Sequence, residues 1–157
     1  MIEAFRPICE DLEQWVASGE VKFSSLPGEV VVARRNQQQR TIKQIVGHMV
    51  DSASNNTHRI IHMHYQASPV SYPDYANLGN NDRWIAIQNY LDEPWKELIK
   101  LWGAVHRHLV HVIRQVQEEK LEQVWITALG EEITLEEMII DFPRHFKLHI
   151  REIEELL

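Results

Sequence analysis

Apolar residues recur along most of this chain at three- and four-residue spacing, the period of a helix that buries one face. In residues 3–18, Phe5, Ile8, Leu12, Trp15 and Val16 make such a stripe, and Gly19 is expected to end the helix. Residues 20–40 contain Pro27-Gly28 and no sustained period, which predicts an irregular connection with a short extended piece at Val30–Val32. A second helix is predicted from about 41 to 66, opened by Thr41 and Gln44 in the form of a capping box. A third begins near Asp92-Glu93-Pro94 and carries Trp95, Leu98, Ile99, Trp102, Leu109, Ile113 and Val116 to about residue 118. The fourth begins at Thr134, with Glu137 completing another capping box, and runs to the C-terminus through Pro143. That proline removes a backbone hydrogen bond and predicts a kink or local irregularity just before His145.

Four such helices without a convincing alternating strand pattern predict an all-α fold, a four-helix bundle. The connection between the second and third helices, about residues 67–91, is long enough to be a crossover. It is rich in aromatics (Tyr72, Tyr75, Trp84 and Tyr90, with Tyr65 just before it), and loops of this length are often functional. No repeat or compositional shift marks a boundary, so residues 1–157 are expected to form one domain.

Composition narrows the functional classes. A net charge of -7 argues against a nucleic-acid-binding surface, which needs clustered cations to displace counterions. The densest basic group, Arg34, Arg35 and Arg40 around a glutamine run, reads as a solvated connection. The single cysteine, Cys9, permits no intrachain disulfide and suits a core position. No apolar run approaches the roughly 20 residues that span a bilayer. The start, MIEAFRPICEDLEQW, carries charges too early for a secretory signal, so a cytoplasmic protein without a membrane partner is expected.

Nine histidines remain, and helical phase sorts them. In the fourth helix, His145 and His149 fall on the arc of Leu135, Met138, Ile139, Phe142, Phe146, Ile150 and Ile153, opposite Arg144, Lys147, Arg151 and Glu154. Two imidazoles one turn apart on a core-facing stripe either pack as core histidines or share one metal ion. His48 flanks the apolar arc of the second helix and can reach the same interior. His58 and His62 repeat the spacing, but His58 points away from its helix's apolar arc, so this pair is expected in solvent. His108 and His111 face outward, His106 lies at the edge of an apolar arc, and His64 has a core phase near a helix end. No Glu-x-x-His, HExxH, GxSxG or glycine-rich phosphate loop is present.

Two segments resemble a known group. Thr41-Ile-Lys-Gln-Ile-Val-Gly-His48-Met-Val-Asp51-Ser52-Ala-Ser-Asn55-Asn56 is similar to the second-helix motif of the DinB/YfiT-like superfamily, where Asp-Ser and then Asn follow a His. Asp141-Phe-Pro-Arg-His145-Phe-Lys-Leu-His149 resembles its closing His-x3-His motif, and Trp84–Tyr90 through Leu101-Trp102 resembles one branch of the group. The similarity runs from about residue 41 to the end. It implies a four-helix bundle with a crossover, a homodimer, and one divalent metal ion (Zn, Ni or Fe) held by His48, His145 and His149. The group includes metal-dependent hydrolases and transferases or isomerases that use low-molecular-weight thiols. Two features depart from it: Leu148 stands where many relatives have a second His, and Pro143 lies close to the ligands.

A metal-dependent enzyme acting on a small molecule, as a hydrolase or with a low-molecular-weight thiol cosubstrate, is the expectation these readings support. The alternative is a metal-binding or stress-associated dimer without turnover. Asp51 and Asp141, each about one turn from a ligand, are candidate acceptors for imidazole N–H groups, with His106 behind them. Asn55 is a candidate for the substrate pocket.

Overall fold

A 3-10 turn at Glu3–Phe5 leads into α1 (Arg6–Ser24), whose first turn holds Pro7, where a missing N–H leaves no orphan donor. Gly19 does not end this helix. A Cβ there would stand 2.6 Å from the Trp102 ring, so the glycine serves the close approach of a neighbouring helix and α1 continues past it. The valines expected to be extended form a helical turn instead, α2 (Val30–Ala33), with Val31 in the core. Helix α3 (Ile42–Tyr65) begins at the expected capping box: the Thr41 hydroxyl accepts from Gln44 N–H while the Gln44 side chain accepts from Thr41 N–H.

The long connection after α3 is more ordered than its composition suggests, since it contains α4 (Asn80–Gln88). Helix α5 (Trp95–Arg114) follows Pro94 and ends before residue 118. A small antiparallel hairpin, β1 (Val124–Ile126) and β2 (Glu132–Thr134), precedes α6, with Trp125 opposite Ile133. Three-residue strands are too short for an alternating pattern to announce them. Helix α6 (Leu135–Glu155) starts at the second capping box, Thr134 with Glu137, and continues through Pro143. The computed structural model describes all 157 residues.

The four long helices form an all-α bundle in which α1 and α3 each pack against both α5 and α6. Contacts along the helices give their directions. Lys43 near the start of α3 donates to the carbonyl of Leu91 just before α5, and His64 at its end accepts from the N–H of Gln117 just after α5. Helices α3 and α5 are therefore parallel neighbours, and residues 66–94 must return along the bundle to join them, as a crossover does. Trp95 donates to the Phe23 carbonyl and Arg114 pairs with Glu13, so α1 runs antiparallel to α5. At the centre Trp102 meets Phe23 edge-on at 5.2 Å and Phe146 at 5.8 Å, which ties α1, α5 and α6 together. Cys9 is buried in this core. No helix is long and apolar enough to cross a membrane.

The crossover and the hairpin are joined to each other. Val70 bridges Trp125 in parallel fashion, and the Asp74 carboxylate accepts from the N–H groups of Ala76, Asn77 and Ala128. This seam forms one wall of the cavity described next.

Candidate metal centre

His48, in the second turn of α3, and His145 and His149, one turn apart on α6, converge from antiparallel helices. Nε2 of His149 lies 3.1 Å from Nε2 of His48 and 3.0 Å from Nε2 of His145. The candidate ligand atoms of the three residues all lie within 4.8 Å of one another. Nitrogens that share one tetrahedral ion at about 2.0–2.1 Å stand roughly 3.3 Å apart, so the donor set fits a single divalent metal with little rearrangement.

The outer nitrogens are held as well. Nδ1–H of His149 donates to the Glu152 carboxylate at 2.7 Å, which leaves Nε2 as a lone pair facing the other two rings. Nδ1 of His48 meets the Tyr75 hydroxyl at 2.6 Å, a bond in which the ring is the donor whenever Nε2 is the lone-pair nitrogen. Burial favours neutral imidazole at all three positions: it lowers His48 to about 2, aided by the charge of His149, and lowers His145 and His149 to about 4. Neutral imidazole is the form that binds metal.

The three histidines stand in the wall of a cavity of about 740 Å³, within the range of small-molecule sites. One wall is the face of α3 that carries His48, Ser52, Asn56 and Arg59, and Tyr75, Trp125 and Thr127 come from the crossover and the hairpin. Glu131, Glu132, Glu137 and Asp141 also line it and are exposed, whereas Arg40 and Arg59 are buried.

Other candidates take different places. Asp51 does not meet an imidazole: its Oδ1 accepts from the Tyr90 hydroxyl at 2.6 Å and from Gln88 at 2.8 Å. Burial, opposed by those bonds, lifts its carboxyl to about 6. Asp51 thus fastens the crossover, the segment that supplies Tyr75, onto α3. Asp141 forms a two-pronged pair with Arg144 at 2.6 and 2.8 Å on the surface, because an i, i+3 arginine is nearer than either ring nitrogen. His106 is buried against Trp102 and Phe146 and bonds the Trp102 carbonyl at 2.7 Å, as a core histidine. Asn55 turns away from the cavity and donates to the Asp51 carbonyl, while its neighbour Asn56 lines the wall. His58 is exposed as expected, but His62 is half-buried against Tyr65 and Tyr72.

Four further site residues were not singled out by sequence. Glu152 had a readable signal, since it follows His149 by three residues and shares its face. Arg59 had one also: eleven residues past His48, it returns to within about 20° of the same phase. Arg40 is not the solvated residue its basic neighbourhood suggested, being 5% exposed and paired with Asp82 at 2.7 Å. Trp125 had no signal, because a three-residue strand gives no period.

The fold is similar to that of YfiT from Bacillus subtilis, described as a probable metal-dependent hydrolase with an unusual four-helix bundle topology. The TM-score is 0.82 at 18% identity, over 99% of this chain and 87% of that one. At that identity the likeness speaks for the fold alone. No curated protein matches the sequence. The DinB superfamily model matches residues 14–153, nearly the whole of the bundle and all three converging histidines, and the chain belongs to that superfamily.

Proposed function

We propose that His48, His145 and His149 hold one divalent metal ion, Zn, Ni or Fe, and that the protein is a metal-dependent enzyme acting on a small molecule in the adjoining cavity. The observation that carries this reading is the convergence of three Nε2 atoms in a cavity wall, two of the rings having their Nδ1 atoms already engaged by Glu152 and Tyr75. When bound, the ion supplies Lewis acidity, which makes water or a low-molecular-weight thiol a nucleophile near neutral pH. Glu152 sets the tautomer of His149, and Glu152 and Tyr75 orient two of the ligand rings. Hydrolysis and thiol transfer are both compatible with this arrangement, and a homodimer is the assembly proposed with it.

Elemental analysis of protein purified without a histidine tag, followed by a screen of small electrophiles with water or thiols as acceptors, tests the reading. The expected result is one metal per chain, absent from a His48/His145/His149→Ala triple variant, and turnover that disappears in His145→Ala. Metal content that is negligible or unchanged in the triple variant would sink the site. Stoichiometric metal with no turnover across the screen would favour a non-catalytic metal-binding dimer.

A further inference from the structure

Arg59 is a cation without a counter-ion, 7% exposed in the wall of the cavity. No ion pair of the structure includes it. Its guanidinium lies 3.8 Å from the centre of the Trp125 ring, with Tyr72 at 5.5 Å and the Met138 sulfur 3.5 Å from Nη1. Nε is buried and has no hydrogen-bond partner. Asp74 is near enough to act on it electrostatically, but its carboxylate is engaged by the N–H groups of Ala76, Asn77 and Ala128 and by the Asn77 amide. Burial lowers the guanidinium only to about 10, so it stays charged at neutral pH.

A buried, unpaired cation is costly, and a ring face compensates it in part. The Trp125 ring restrains the guanidinium, and with Nη1 on the Met138 sulfur and Nε buried, no hydrogen bond of the structure uses Nη2, which leaves it for an oxyanion of a ligand. Arg40, the other buried arginine of the cavity, is already paired with Asp82. The four exposed carboxylates lining the cavity do not pair with Arg59.

We infer that Arg59 anchors an oxyanion group of the substrate, a carboxylate or a phosphate, at the end of the cavity away from the three histidines. The spacing follows from the helices. Met138, beside the guanidinium, precedes His145 and His149 by seven and eleven residues of α6, about 10 and 16 Å at 1.5 Å per residue. The substrate class is therefore an elongated molecule whose reacting group and anionic end stand about 10–16 Å apart. The anion site is independent of metal, whereas this spacing rests on the metal-centre reading above.

Calorimetry on the full chain, stripped of metal by chelation, separates the two. Inorganic phosphate and acetate are titrated in parallel, which distinguishes the two oxyanion sources. Saturable binding of at least one is expected, weakened at least about tenfold in Arg59→Gln and unchanged in His145→Ala. If Arg59→Gln does not fold, Arg59→Lys replaces it, keeping the charge without the fork, and a weakening of several-fold is expected. No saturable binding of either anion, or equal binding by wild type and the Arg59 variant, overturns the assignment. Binding that requires zinc and disappears in His145→Ala overturns it too, because the anion then sits on the metal. On zinc-loaded protein, 8-mercaptooctanoate should bind more tightly than 3-mercaptopropionate, with the advantage lost in Arg59→Gln. Equal affinities would refute the spacing while leaving the metal-free result intact.

Discussion

Glu152 accepts a 2.7 Å hydrogen bond from Nδ1 of His149, one turn before it on α6, and so sets which nitrogen of that ring faces His48 and His145. A carboxylate behind an imidazole ligand orients it and raises its basicity. Glu152→Gln keeps the shape and removes the charge. Metal affinity, measured by competition with a chromogenic chelator, is expected to fall by about 10–100-fold. Thermal stability of the metal-free protein should change little, and an unchanged affinity would show that Glu152 does not govern the ring.

Histidine pairs at the same spacing should behave differently. Single substitutions His48→Ala, His145→Ala and His149→Ala are each expected to lower the bound metal well below one per chain after dialysis. A His58→Ala/His62→Ala double variant should retain the full complement, since His58 is exposed and His62 is occupied with Tyr65 and Gln66. Loss of metal from the double variant would place the site on the wrong pair.

Acid should weaken the metal-free fold through its buried histidines, partly offset by Asp51, whose carboxyl takes up its proton at about 6 in the folded chain. Burial holds His106 at about 4 in the folded chain, against an ordinary value near 6.5. Between those values the unfolded chain binds a proton that the folded chain refuses, so stability is lost as pH falls from about 6.5 toward 4. His106 alone accounts for about 3 kcal/mol over that window, and His145 and His149 act in the same direction. Urea midpoints at a series of pH values should show this decline, and it should be shallower in His106→Phe. Parallel declines in the two proteins would contradict it.

Gly47 lies directly under the Tyr90 ring, and an added Cβ would fall within it. Gly47→Ala is expected to destabilise by about 1–3 kcal/mol, as overpacking does. Because Tyr90 bonds Asp51 in fastening the crossover, which also carries Tyr75, metal affinity should drop as well. Equilibrium urea unfolding and the same chelator competition measure both. A stability loss with unchanged metal affinity would show that the crossover does not support the histidines.

The helices and their caps were legible because Thr41/Gln44 and Thr134/Glu137 are local signals, decided within one turn. The convergence of His145 and His149 with His48 was half legible: phase placed the α6 pair on a core face, but only resemblance joined His48 to it. Gly19 misled because glycine is ambiguous, and a neighbouring tryptophan settled its role. Asp51 and Asp141 misled because spacing along a helix counts neighbours on that helix, while Tyr90 and Gln88 arrive from elsewhere and Arg144 is nearer than the rings. Tyr75 was named among the aromatics of the crossover, but its bond to His48 was not legible, and Arg40 and Trp125 were missed for the same reason: each reaches the cavity from a connection, whose path no period encodes.

The union of crossover and hairpin through Val70, Trp125 and Asp74 has a consequence for how such a protein can diversify. The three histidines sit on helices, whereas Tyr75, Trp125, Thr127 and the acidic residues 131 and 132 sit on the two connections. The connections thus shape much of the cavity, while of their residues Tyr75 also reaches a histidine, His48. Changes in the connections can recast which molecules enter without disturbing the histidine geometry, provided that the seam between them, Tyr75 and the Tyr90–Asp51 bond are kept. Exchange of side chains at residues 129–131, beyond the Ala128 N–H that Asp74 holds, is the point at which that freedom is greatest.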